Sequence, residues 1–149
     1  MSETVLLTGA TGFLGMELLA RLAQEPLARI PFVTSIVLAL SLPDSEPAQP
    51  YAIVVGHFVS SMAGFAALWC FGAGEIASAV GVGLAALSML LLRAVHPPAG
   101  IDAFLIAGLG LPASWLLNPV LVGAVLLALF SRLWSAGEGR LARQLFENR

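Results

Sequence analysis

No lysine occurs among the 149 residues, and all seven basic residues are arginine. That absence excludes any mechanism running through a Schiff base or a catalytic ammonium group. Charge of either sign is scarce: 11% of residues are charged, against about 25% in a soluble globular domain. Between Pro47 and Ser131 only Glu75, Arg93 and Asp102 carry a formal charge, so a water-facing surface cannot be assembled from that stretch. The net charge of −2 leaves no basic face to neutralise phosphates, which excludes a nucleic-acid partner. The single cysteine, Cys70, rules out an internal disulfide, and its place in an apolar run predicts a small buried hydrophobe rather than a reactive thiolate. Glu3 and an early glycine-rich turn stand where a signal peptide needs a basic start and an unbroken apolar core, so no cleavable signal is expected.

What the chain has in abundance is apolar sequence, 58% of its residues. Tyr51 to Phe71 contains no formal charge and is long enough to cross a hydrocarbon core of about 30 Å. Ile76 to Leu92 and Trp115 to Leu133 read as two more full spans, the last with Trp115 and Trp134 as interfacial anchors. Phe32 to Leu42 and Ala99 to Leu111 are each bounded by proline and too short to span alone. They read as half-helices of a broken or re-entrant element. The predicted fold is all-α and transmembrane, with three full spanning helices, two Pro-bounded short helices and a short N-terminal strand-turn-helix. The predicted organisation is an N-terminal fragment over 1–26, a transmembrane domain over 27–134 and an arginine-bearing tail over 135–149.

A shift of 67 residues carries Pro31 to Pro98, Ile36-Val37-Leu38 to Ala103-Phe104-Leu105, and Ile53-Val54-Val55-Gly56 to Val120-Leu121-Val122-Gly123. The order of proline, half-helix, proline-containing loop and long helix thus occurs twice, the mark of an internal duplication, and such duplications place transporter sites where broken helices meet. The same shift calls for a spanning helix over 8–27, but Glu17, Arg21 and Glu25 there forbid one. The first repeat is expected to lack its opening helix.

Glu3 to Gly15 reads ETVLLTGATGFLG, a short apolar strand followed by Gly9, Gly12 and Gly15 and then an amphipathic helix. Glycines at this spacing allow a tight turn and a close backbone approach to pyrophosphate. TGATGFLG resembles the start of extended short-chain dehydrogenase/reductase domains, over about 25 residues. That resemblance makes Gly9, Gly12 and Gly15 the only cofactor-binding candidates. The catalytic Tyr-x-x-x-Lys pair of those enzymes has no counterpart, since Tyr51 is followed four residues on by Val55 and no lysine exists. The segment is read as a non-functional graft, no cofactor is expected, and the chain is not expected to be an enzyme.

Arg93 to Asp102 reads RAVHPPAGID, with Pro97 and Pro98 stopping one helix and pre-setting the next. Together with IPFVTSIVLALSLPDSEPAQP from Ile30 to Pro50 and the Gly56-His57 pair, this segment resembles the HPP family of small integral membrane proteins, over about residues 27–134. The resemblance implies four spanning helices and, from some members, transport of nitrite.

Physically, a half-helix starting near Ala99 turns its positive N-terminal end toward the membrane interior, a place for a small anion. The second half-helix brings Thr34 and Ser35. Arg93 and a protonated His96 are expected to add positive charge nearby, and His57 comes from the preceding helix. The candidate substrate-binding residues are therefore His96, Pro97, Pro98, Asp102, Arg93, His57, Thr34 and Ser35. Structural roles stand beside each: His96 capping the broken helix, Asp102 capping the half-helix or pairing with Arg93 or His96, and His57 bonding between helices. No spacing demands a metal. Ser60-x-x-x-Gly64 and Ala77-x-x-x-Gly81 read as helix contact surfaces. The arginines beyond the last helix place the tail in the cytoplasm, with the chain in an inner or plasma membrane, and Arg93 suggests an inner-side position too. The sequence leaves open whether 94–114 crosses the membrane or returns. The function expected is a transporter or channel-like subunit for a small anion such as nitrite, in contact with lipid and forming a homo-oligomer. The alternatives are a non-transporting scaffold or partner subunit and, third, an NAD(P)-linked reductase fragment.

Overall fold

The structure, a computed structural model, describes residues 32–147, with side chains described as far as residue 137. The strand-turn-helix expected over Glu3 to Gln24, with Gly9, Gly12 and Gly15, lies outside the described residues. Among those described there are five α-helices and no strands: α1 (Val33–Ser41), α2 (Pro50–Phe71), α3 (Glu75–Leu91), α4 (Gly100–Leu109) and α5 (Val122–Glu147).

Two stretches among the described residues are long and apolar enough to cross a membrane, Pro50–Phe71 and Leu116–Gly137, where three spans were expected. α3 has 17 residues, about 26 Å at the rise of an α-helix. Its ends are set by the backbone. Gly72 (φ 73°) and Gly74 (φ 149°) turn the chain into it, and Arg93 (φ 52°) turns the chain out. The last span is not one regular helix either. Leu116–Leu121 forms a π-helical turn in which Asn118 leaves the helical region (φ −136°, ψ 117°), because Pro119 has no N–H to continue the ladder. Regular helix begins at Val122.

The half-helices are present and shorter than expected, nine and ten residues, with the turn Pro97–Ala99 leading into α4. Their limits follow the shift of 67: it carries Val33 onto Gly100, the first residue of each short helix. It also carries Pro50 to within a residue of Leu116, where each long apolar stretch starts.

α2 is the central element and packs against α3, α4 and α5. Its buried residues are Ala52, Ile53, Gly56, His57, Ser60, Ser61, Ala63, Gly64 and Ala67, a stripe at helical spacing in which all but Ile53 and His57 are small. Small residues let backbones approach: a Cβ on Gly64 would lie 2.8 Å from Ala103 Cα. Many large apolar side chains point outward, Trp69 at 91% exposure and Leu91 at 75%. Cys70 is exposed on this outer surface rather than buried, since it lies off the small-residue stripe.

Cross-helix bonds fix the directions. Ser131 Oγ, far along α5, donates to Ala48 O just before α2 begins (2.9 Å), so α2 and α5 run antiparallel. Tyr51 O–H donates to Leu92 O (3.1 Å), which puts the end of α3 at the start of α2. Gly74 N–H donates to Ala107 O (3.1 Å), which puts the end of α4 beside the far end of α2. From Leu92 to Ala107 the chain therefore passes from one end of α2 to the other, which answers for 94–114: it crosses. α1 runs from the interior, where the Phe32 ring packs on His57, out to the Pro43–Pro50 loop. α1 and α4 thus start near each other inside the bundle and leave toward opposite ends, so the two repeats are inverted.

Candidate functional site

The first turns of α1 and α4 present equivalent residues. Ser35 is the third residue of α1, Asp102 the third of α4, and the shift of 67 relates them. Between them stands His57 of α2. Its Nε2 is 3.2 Å from Ser35 Oγ, and its Nδ1 is 2.7 Å from Asp102 Oδ2. Ser35 Oγ also lies 2.9 Å from His96 Nε2, and His96 Nδ1 donates to Pro47 O at 2.6 Å. Ser35, His57, His96 and Asp102 are all 0% exposed. The result is one continuous chain, Asp102–His57–Ser35–His96–Pro47 carbonyl.

The polarity of this chain follows from what each group can do. A carbonyl only accepts, so Nδ1 of His96 carries hydrogen. His96 is fully buried, with a carbonyl and a hydroxyl as its partners and no carboxylate among the described residues to pair a positive charge, so the charged form would be costly there. His96 is therefore neutral at pH 7, and the expected imidazolium is not formed at rest. Its Nε2 then accepts from the Ser35 hydroxyl, Ser35 Oγ accepts from His57 Nε2–H, and His57 Nδ1 shares one proton with Asp102 Oδ2. The His57–Asp102 pair carries no net charge, which lightens the cost of burying it.

Other buried hydroxyls serve the backbone. Ser60 Oγ donates to Ala99 O (2.6 Å) and accepts from Ala103 N–H (3.3 Å), bridging the break at the start of α4. Ser60 was read as a packing position alone, and small-residue spacing gives no sign of its bonding. Two buried side-chain atoms, Asp102 Oδ1 and Ser61 Oγ, have no hydrogen-bond partner among the described residues other than one another. Ser61, one helical turn from His57 on α2, lies beside the same carboxyl. It was missed because a serine in an apolar helix reads as a small residue; its i, i+4 relation to His57 was the available signal.

Of the candidates named from sequence, the structure brings His57, His96, Asp102 and Ser35 together. Thr34 is exposed, because neighbours in α1 point to different faces. Arg93 is exposed at the end of α3, and neither it nor His96 pairs with Asp102, whose partner is His57. Its left-handed backbone ends the helix and turns its side chain out of the bundle. Pro97 is exposed and Pro98 half-buried; they shape the turn that sets His96 in place. Among the described residues no group of three His, Cys, Asp or Glu side chains could hold a metal ion.

The family model for the HPP transmembrane region matches residues 2–141. The match runs across Gly9, Gly12 and Gly15, so it gives no support to a dehydrogenase-like origin for that segment. Two transmembrane proteins of Dictyostelium discoideum are similar: one is 32% identical over 107 residues, 66% of this chain and 37% of that protein. The other is 36% identical over 78 residues, 50% of this chain and 25% of that protein. The matched stretch thus spans well under half the length of these relatives. No solved structure matches.

Proposed function

The chain belongs to the HPP transmembrane family and is an integral membrane protein, and from that premise we propose that it is a transport subunit for a small anion such as nitrite. One observation carries this reading: the N-terminal ends of two inverted half-helices meet inside the bundle at Ser35 and Asp102, joined by His57. Two helix N-termini supply positive potential where an anion can be held, without a fixed cationic side chain. A scaffold or partner subunit has no need of a buried polar chain in a bundle of small apolar residues. The chain carries its substrate rather than converting it. Two long helices enclose little, so a second copy is proposed to complete the pathway along the exposed apolar faces, the rest of which meet lipid. The tail is proposed to face the cytoplasm across the inner or plasma membrane.

The test is nitrite uptake into liposomes containing the purified chain. Entry faster than into protein-free vesicles, lost in His57→Ala, supports the reading. Entry no faster than into protein-free vesicles refutes it.

A further inference from the structure

We infer that Asp102, His57, Ser35 and His96 are a proton relay that makes anion entry proton-coupled, with Asp102 Oδ1 and Ser61 Oγ as the anion's own contacts. This rests on the transport reading above. Two independent features of the structure meet here. Four buried side chains are linked without a gap from the interior carboxyl to the Pro47 carbonyl, next to the exposed Glu46. Two further buried side-chain oxygens, Asp102 Oδ1 and Ser61 Oγ, lie together at the interior end of that chain, with no hydrogen-bond partner from any other described residue.

The relay at rest holds its hydrogens on His96 Nδ1, Ser35 Oγ and His57 Nε2, with one more between His57 Nδ1 and Asp102 Oδ2. All point toward Pro47. A proton arriving with the anion bonds to Asp102 Oδ1. The Oδ2 proton then passes to His57 Nδ1, the His57 Nε2 proton to Ser35 Oγ, and the Ser35 proton to His96 Nε2. Three bonds to hydrogen break and three form within the relay, and the new bond at Oδ1 holds the incoming proton. No electron pair leaves the cluster and nothing is oxidised. The positive charge ends on His96, which sheds it to water at the loop when Nδ1–H leaves the Pro47 carbonyl.

The coupling follows from Oδ1. Without the extra proton this oxygen offers lone pairs and repels an anion. With it, Asp102 Oδ1–H and the Ser61 hydroxyl form a pair of donors, and the charge on the cluster cancels that of the anion. Entry of anion and proton together is electroneutral. Among the described residues the titratable groups facing the relay are its own members; Tyr51 is bonded to Leu92 O, and Asp44, Glu46, Glu75, Arg93 and Arg132 are exposed.

The experiment uses the full chain in liposomes loaded with a pH-sensitive dye, with an inward nitrite gradient and the membrane potential clamped by potassium and valinomycin. Protein-free vesicles give the baseline for nitrous acid crossing lipid. The expected result is internal acidification in step with nitrite, insensitive to potential, and slowed in heavy water. Ser35→Ala, which cuts the relay at its middle, is expected to lower proton-accompanied entry about tenfold, and Ser35→Thr, which keeps the hydroxyl, to retain it. Ser61→Ala removes a hydroxyl whose neighbour is the Asp102 carboxyl alone, and is expected to weaken nitrite entry while the chain still folds. Nitrite entry above baseline without acidification, or Ser35→Ala indistinguishable from the unaltered chain, overturns the relay while leaving transport standing. Entry at baseline in the unaltered chain overturns both.

Discussion

At the scale of single residues, the His57–Asp102 pair shows why a buried polar group is informative. Burying two ionisable groups among small apolar residues stabilises nothing that leucine could not stabilise as well. Removing one partner is another matter, because the other is left buried and alone. His57→Leu is expected to lower stability by about 3 kcal/mol, and adding Asp102→Leu to restore most of it. Unfolding in mixed detergent reads the stabilities, and nitrite uptake should be absent from both variants. Recovery of uptake in the double variant would show that the pair is only structural.

At the scale of the element, what positions the site is glycine on α2 and α5. A Cβ on Gly56 would lie 2.8 Å from His96 Cβ and 3.3 Å from Ala94 O, atoms fixed to the backbone, so the turn carrying His96 would have to move. Gly123, its equivalent on α5, presses on the Phe32 ring, which in turn packs on His57. Gly56→Ala is expected to cost about 1–3 kcal/mol and to break the relay at His96. Gly83→Ala, where nothing lies within 4 Å, should gain up to about 1 kcal/mol from helix propensity. Equal responses at the two glycines would remove the packing argument. The elements themselves were legible in the sequence. Prolines and glycines bound them, and the repeat at 67 located both half-helices. Their exact ends were not, since Arg93 adopts a left-handed backbone that is usually a glycine's, and Pro119 breaks a run that composition reads as continuous. Within the site, His57, His96 and Asp102 stood out as rare polar residues in apolar sequence. Which acid met which base could not be read: Arg93 and His96 were the partners expected for Asp102, and the fold gives it His57 instead, because Arg93 turns out at the end of α3 and His96 faces Ser35 and Pro47.

At the scale of the molecule, inversion of the repeats makes a claim about sidedness that no single helix could make. Ser131 bonds to Ala48, and Tyr51 to Leu92, so the Pro43–Pro50 loop, Arg93 and the start of the tail share one face. Cys70 stands at the other end of α2, one residue before the helix stops. Acidic residues in the loop do not argue against its lying with the arginines, since Asp and Glu contribute little to orientation. The chain offers its own probe, because Cys70 is the single cysteine and is exposed. In sealed vesicles of one orientation, a membrane-impermeant maleimide should label Cys70 from one side only. With Cys70→Ser as background, Asp44→Cys and Arg132→Cys should both label from the opposite side. If the tail is cytoplasmic, Cys70 labels from outside and the other two from within. Asp44→Cys and Arg132→Cys labelling from different sides would break the antiparallel relation of α2 and α5. The meeting of half-helix N-termini at His57 would then lose its geometric basis, because two repeats of the same sense send their short helices out through the same face.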